Sequence, residues 1–168
     1  MAKLIFVDTE KCVGCMACVL ACSLEHGDTI SPTHSRILPV RLRKQAIHIP
    51  VVCRQCAKPL CADACPMGAI VRNEETNAMI VDTDLCIGCG VCMIACPLGG
   101  ISLNTQAGHS VKCDLCGGDP LCVKFCGYGA IEYITEEEAA LKSKKEAGLK
   151  FPERLVPSTD KQGKGIGK

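Results

Sequence analysis

Apolar residues along this chain fall in short runs. Glycine, proline and cysteine cut each run before it reaches the length of an ordinary helix. Leu4-Ile5-Phe6-Val7 and Met79-Ile80-Val81 each read as a short strand. Further strands are predicted at three glycine-led triplets: Gly68-Ala69-Ile70, Gly99-Gly100-Ile101 and Gly129-Ala130-Ile131. Between Arg36 and Val52 the apolar positions alternate loosely (Ile37, Val40, Leu42, Ile47, Ile49), which predicts a hairpin. A helix is predicted from Thr135, with Glu136, Glu137 and Glu138 in its first turn. Lys142, Lys144 and Lys145 suit its other end, and Gly148 is expected to stop it. A basic tail rich in proline and glycine follows (Pro152, Pro157, Gly163, Gly165, Gly167). It reads as either a solvated segment or an arm that wraps a partner or an adjacent copy.

No run approaches the roughly 18 apolar residues of a membrane span. No secretory apolar region or twin-arginine pair lies near Met1, so a cytoplasmic protein is expected. With 48% apolar and 22% charged residues, wholesale disorder is excluded. A net charge of +1 offers no electrostatic footprint for nucleic acid. Aromatics supply only 3% of the chain, with no tryptophan, so something other than large rings must fill the core. The 16 cysteines are the one candidate in number. In a reducing cytoplasm they argue for metal rather than disulfides.

The cysteines form four quartets with none left over. The first is Cys12, Cys15, Cys18 and Cys22; the third is Cys86, Cys89, Cys92 and Cys96, followed by Pro97. Both have the C-x2-C-x2-C-x3-C spacing of bacterial ferredoxins. The second is Cys53, Cys56, Cys61 and Cys65, followed by Pro66; the fourth is Cys113, Cys116, Cys122 and Cys126. These two have a wider middle gap containing Pro59-Leu60 and Pro120-Leu121. A cubane cluster needs one thiolate at each iron corner. Two-residue gaps let one tight loop supply three of them. The fourth cysteine lies on the helix that follows and ligates the neighbouring cluster. Four structural zinc sites are the alternative, but zinc ribbons use separated CxxC pairs rather than four-cysteine runs. A disulfide framework is the weaker alternative.

Val7-Asp8-Thr9-Glu10-Lys11-Cys12 matches Val81-Asp82-Thr83-Asp84-Leu85-Cys86, so the chain reads as a tandem duplication. The first half carries about 14 extra residues between its two quartets. Quartets two and three, with the segment between them, form a complete two-cluster unit, which leaves one and four for each other. The prolines agree, since Cys65 and Cys96 precede proline while Cys22 and Cys126 do not. The expected ligand sets are Cys12, Cys15, Cys18 and Cys126; Cys22, Cys113, Cys116 and Cys122; Cys53, Cys56, Cys61 and Cys96; and Cys65, Cys86, Cys89 and Cys92. The N-terminal strand must then lie beside Ile131–Ile134. The expected fold is α+β, with tandem-duplicated bacterial-ferredoxin-like modules. Two pseudo-symmetric two-cluster units would be built of short strands and short helices. Residues 1–30 with 108–134 form one unit and 53–107 the other. Residues 31–52 form an inserted hairpin, and 135–168 a helix and flexible basic tail.

These quartets resemble the four-cluster ferredoxin-like electron-transfer subunits of molybdenum and tungsten oxidoreductases, over about residues 3–134. Members partner formate dehydrogenases, dimethyl sulfoxide reductases, nitrate reductases and tungsten aldehyde oxidoreductases, and related subunits serve hydrogenases. The resemblance implies four [4Fe-4S] clusters, since no ligand is missing. It also implies a large catalytic subunit as partner, with the tungsten aldehyde oxidoreductase type favoured and the formate dehydrogenase type next. Ferredoxin, or a flavoprotein or NAD-reducing subunit, is the expected redox partner on the other side, and a further copy of the same protein is another. Many membrane-bound relatives are longer, so a soluble complex without direct membrane insertion is expected. Iron saturated by thiolates has no open position for substrate, so the chain itself carries no catalytic residue. A free polyferredoxin and a hydrogenase electron-transfer subunit remain the alternatives. His26, His34, His48 and His109 are expected at solvent-exposed or partner-facing positions. Ile70, Ile80, Ile87, Ile94, Ile101 and Ile131 are expected to pack around the clusters.

Overall fold

The computed structural model describes residues 2–27, 29–42 and 46–155, with 150–155 described by backbone alone. Among the described residues, eight short strands and five α-helices, with a 3-10 turn at Leu115–Gly118, follow one another in the order expected of a duplication. The first half runs β1 (Lys3–Val7), α1 (Ala17–His26), β2 (Leu38–Leu42), β3 (Ile47–Val51), α2 (Leu60–Asp63) and β4 (Ile70–Arg72). The second runs β5 (Met79–Val81), α3 (Val91–Ala95), β6 (Ile101–Asn104), β7 (His109–Lys112), α4 (Leu121–Lys124) and β8 (Ile131–Thr135). The last element, α5 (Glu136–Leu155), has no counterpart in the first half.

All four sheets are two-stranded antiparallel ribbons. The boundary strands of the halves exchange partners: β1 pairs with β8 and β4 with β5. Val7 lies opposite Ile131 and Leu4 opposite Ile134, where the cysteine pattern puts the N-terminal strand. The two remaining ribbons, β2·β3 and β6·β7, link the quartets within each half. Helix α1 packs on α4, and α2 on α3. The fourth cysteine was expected on the helix, but only Cys22 lies within one. Cys65, Cys96 and Cys126 fall just past the ends of α2, α3 and α4, because those helices have only four or five residues.

The duplicated motif is visible atom by atom. Asp8 Oδ1 accepts from the backbone N–H of Glu10 and Lys11, and Asp82 Oδ1 from Asp84 and Leu85. Each aspartate thus closes a turn ahead of its binding loop, as short polar side chains do. Asp8 N donates to the Ala130 carbonyl at 2.8 Å and Asp82 N to Ala69 at 2.7 Å, fastening each loop to the ribbon beneath it.

The largest core cluster mixes aliphatics with thiols: Ile5, Val19, Val52 and Leu115 lie among Cys22, Cys53, Cys113 and Cys122. A second joins Ile70, Met79 and Ile101 to Cys92. The third contains no cysteine and consists of Leu4 and Phe6 under Ala139 of α5. Of the isoleucines expected to pack around the clusters, Ile87 borders a thiol cavity although it is 63% exposed, whereas Ile94 is 89% exposed. Helix α3 has five residues and buries only the face bearing Cys92, which leaves Ile94 pointing outward.

Helix α5 starts as expected. Thr135 Oγ1 accepts from Glu138 N at 3.2 Å, and Glu138 Oε2 accepts from Thr135 N at 2.9 Å, a reciprocal capping box. Its predicted end is wrong. The helix continues past Gly148 to Leu155, taking in Pro152. A helical glycine costs only about 1 kcal/mol against alanine, and Ala147, Leu149 and Lys150 around it are good helix formers. Residues 156–168 of the expected tail lie outside the described residues. Among the described residues no helix is long and apolar enough to cross a membrane.

Candidate iron–sulfur centres

A local device orients three of the fourth-position cysteines. After Cys65, Cys96 and Cys126 the chain turns through Gly68, Gly99 and Gly129, all near φ +60°. That left-handed geometry suits glycine. The next residue then folds back on the sulfur. Ala69 N donates to Cys65 Sγ at 3.3 Å, Gly100 N to Cys96 Sγ at 3.4 Å and Ala130 N to Cys126 Sγ at 3.3 Å. The strand begins directly afterwards. Cys22 departs from this pattern, and its sulfur accepts from Arg36 N at 3.3 Å, fourteen residues on. Gly14, Gly88, Gly90, Gly117 and Gly118 have positive φ and bend the binding loops. Further backbone N–H donors reach Cys86 Sγ from Ser110 at 3.5 Å, and the sulfurs of Cys18, Cys61, Cys113 and Cys116 from Val19, Ala62, Leu115 and Leu121.

Three cavities each collect four thiols from two quartets. One is bordered by Cys12, Cys15, Cys18 and Cys126. Another has Cys53, Cys56, Cys61 and Cys96. The third has Cys65, Cys86, Cys89 and Cys92. No histidine or carboxylate lines any of them, so the donor set is purely thiol and fits a cubane cluster rather than a mixed site. The remaining four, Cys22, Cys113, Cys116 and Cys122, crowd together at the junction of α1, α4 and the loop after β7. Burial raises the pKa of each, and at Cys122 repulsion from Cys113, Cys22 and Cys116 adds to it. Burial pushes Cys113 up to about 12 and Cys18 up to about 11. Such thiols are poor ligands until a metal displaces the proton, so metal binding here releases protons and drives folding together.

Polar side chains surround the fourth group. Arg36 Nη1 lies 2.6 Å from Asp114 Oδ2, and His26 Nε2 lies 3.6 Å from Asp114 Oδ1. Burial raises the Asp114 pKa, but Arg36, the Cys116 N–H and His26 outweigh it and hold the carboxyl below its ordinary value. Burial lowers the pKa of His26, with help from the Arg36 charge, and so favours the neutral ring. All four histidines are half-buried. The His48 ring sits over Gly14, and its Nδ1 is buried without a hydrogen-bond partner.

Sequence reasoning missed four residues around the centres: Arg36, Gln55, Lys112 and Asp114. Gln55 is buried between the second and fourth loops. Its Nε2 donates to the Cys113 carbonyl and its Oε1 accepts from Met79 N, both at 2.8 Å. Only the duplication could have flagged Lys112. It precedes the fourth quartet where Val52 precedes the second, so the repeat marks it as a buried position.

Residues 44–136 match the family model of the 4Fe-4S dicluster domain, and residues 3–24 that of a 4Fe-4S binding domain. The chain belongs to the 4Fe-4S dicluster family. The aliphatic sulfonate oxidoreductase polyferredoxin-like subunit of Pyrococcus furiosus is 40% identical over 111 residues, covering 66% of this chain and 64% of that protein. A tetrathionate reductase subunit of Archaeoglobus fulgidus is 35% identical over 109 residues, covering 65% and 52%. The putative electron transport protein YsaA of Escherichia coli is 35% identical over 124 residues, covering 68% and 76%. The chain thus spans between half and two thirds of the first two relatives. Within this family its sixteen cysteines correspond to four [4Fe-4S] clusters.

Proposed function

We propose that this chain is the electron-transfer subunit of a molybdenum or tungsten oxidoreductase, passing single electrons along four clusters in a line. The ligand sets of the reading are Cys12, Cys15, Cys18 and Cys126 for the first; Cys22, Cys113, Cys116 and Cys122 for the second; Cys53, Cys56, Cys61 and Cys96 for the third; and Cys65, Cys86, Cys89 and Cys92 for the fourth. The observation that carries it is the gathering of thiols from paired quartets into cavities lined by no histidine or carboxylate. Residues 1–30 with 108–134 would hold the first two clusters, and 53–107 the last two. The contact between Gln55 and Cys113 supports placing the second and third clusters next to each other at the seam.

Both ends of such a line suit docking. Cys15 and Cys89 are the exposed thiols of the two terminal sets. Val13, Phe125 and Tyr128 offer exposed apolar surface near one end, and Leu85, Ile87 and Ile94 near the other. One end would face a large catalytic subunit, and the other a ferredoxin or a flavoprotein or NAD-reducing subunit. Among catalytic partners the tungsten aldehyde oxidoreductase type is favoured and the formate dehydrogenase type comes next. The relatives' names point to oxidoreductase complexes of several substrates.

Anaerobic purification of the tagged chain from its native cell tests this reading. The expected result is co-elution with a large molybdenum- or tungsten-containing protein whose substrate bleaches the visible absorbance. Iron should be about sixteen atoms per chain. A brown chain that always elutes alone would instead be a diffusible carrier. A colourless zinc protein would end the reading.

A further inference from the structure

The cavity of the third cluster differs from its counterparts in charge. Arg54 and Lys112 both line it, whereas the cavities around Cys15 and Cys89 have no cationic side chain. Lys112 is only 2% exposed. Its ammonium donates to the Met79 carbonyl, and among the described residues it has no carboxylate within ion-pair distance. Met79 is held in turn by Gln55, which bonds to Cys113, so a buried chain of polar groups fixes the ammonium between the second and fourth loops. The cation near the second cluster is different, because Arg36 is neutralised there by Asp114 at 2.6 Å.

An ammonium survives burial only where something anionic faces it. No carboxylate pairs with it: Asp114, which shares a neighbouring cavity with Lys112, is taken by Arg36 at 2.6 Å. The position equivalent to Lys112 in the duplication, Val52, is a buried apolar residue. Packing therefore does not call for a lysine. The anion that the cavity would hold is a thiolate-ligated cluster, which carries about −2 oxidised and about −3 reduced. A fixed positive charge in a poorly screened interior stabilises the more negative state more.

Resting on the ligand sets proposed above, we infer that Lys112 sets the potential of the cluster held by Cys53, Cys56, Cys61 and Cys96, raising it above the other three. That internal centre is then the first to accept an electron, and it holds charge midway along the line.

The test is an EPR-monitored redox titration of the full-length protein, assembled anaerobically, as wild type and as Lys112→Met, Lys112→Arg, Arg54→Gln and Cys56→Ser. Cys56→Ser identifies the signal of this centre independently and should alter the first centre reduced. Lys112→Met should lower the equilibrium constant for reducing that centre at least about tenfold, which is ~59 mV for one electron. The other three centres should change by less than about twofold, and Lys112→Arg should stay within about twofold of wild type. Arg54→Gln should shift the same centre the same way by less. Unmoved midpoints in Lys112→Met at full iron content overturn the inference, as does a shift confined to any centre other than the first reduced. If Lys112→Met does not assemble, Arg54→Gln decides: a lowered first midpoint supports the inference, and an unchanged one overturns it. If Cys56→Ser leaves iron content and every signal unchanged, the ligand set fails and takes the inference with it. An altered Cys56→Ser signal beside an unmoved Lys112→Met overturns the inference alone.

Discussion

The two halves of the duplicated chain have the same succession of strand, binding loop, helix and hairpin, yet they hold corresponding cysteines by different means. In the second half Pro97 follows Cys96, α3 stops after five residues, and Gly100 turns back onto the sulfur. In the first half Ser23 follows Cys22, no proline interrupts, and α1 runs for ten residues. The backbone N–H four residues beyond Cys22 belongs to that helix, so the donor must come from elsewhere. The extra segment supplies it, bringing Arg36 N to Cys22 Sγ and the Arg36 guanidinium to Asp114. Ser23, fully buried, ties the segment down by donating to the Ser31 carbonyl at 2.6 Å and accepting from Ser31 N at 2.7 Å. What differs is where the helix ends. At Cys96 and Cys126 it stops at or before the fourth cysteine and the sulfur is served four residues on, with or without a proline, whereas α1 runs past Cys22 and a long loop serves it.

Removal of iron should have the largest effect, and it asks whether either half stands alone. Four of the residues in the main core cluster are cysteines drawn from both halves. Chelation should therefore abolish most of the far-UV circular dichroism in a single step, because the metal supplies folding energy. A cooperative melt surviving in iron-free protein would show that the aliphatics suffice.

The covering of the two binding loops offers a sharper contrast. A Cβ on Gly88 would lie 2.2 Å from the Gly108 carbonyl oxygen, and one on Gly14 would lie 2.6 Å from the His48 ring. Both have φ near +70°, so the backbone strain of about 1–2 kcal/mol is shared. The backbone oxygen cannot swing away as a side chain can. Gly88→Ala should therefore lose its visible absorbance at a lower temperature than Gly14→Ala, by a further ~1–3 kcal/mol of overpacking. The reverse order would mean that the β6·β7 turn yields more easily than the histidine.

Ser23→Ala leaves two carbonyls and one N–H of the extra segment short of a partner. A loss of about 1–3 kcal/mol is expected, with the cluster proposed at Cys22 the first to bleach on heating. Uniform bleaching of all centres would mean that the segment is not specifically coupled to that sulfur. Thr135→Ala should have the smallest effect, about 1 kcal/mol from the lost cap, with no change in iron content. The same box has a pH signature. Hydrogen bonds from the Thr135 backbone and side chain hold the Glu138 carboxyl below its ordinary 4.5. Its contribution is complete above pH 4.5 and is lost as pH falls through the lower folded value, which an NMR titration of Glu138 reads directly.

The cysteine spacing and the meeting of the first strand with the last were legible in one dimension, because ligand spacing and duplication are properties of order along the chain. Strand starts at Ile70, Ile101 and Ile131 were legible for the same reason, each following a glycine at a fixed distance from a cysteine. Ile94 was misread, because which face of a five-residue helix is covered depends on a neighbour far away in sequence. Gly148 was misread because a glycine stops a helix only when its surroundings do not favour continuing.

By itself the order of residues determined the chemistry, in which sixteen thiolates arranged in fours leave little besides iron to be held. Tertiary structure alone decided the surroundings of each centre. Arg36 reaches Cys22 from fourteen residues away, Gln55 spans two loops, and Lys112 is buried beside cysteines of another quartet. Ligand identity follows from local spacing, whereas a cluster's electrostatic environment sums over every group that folding brings near, and no spacing rule encodes that sum.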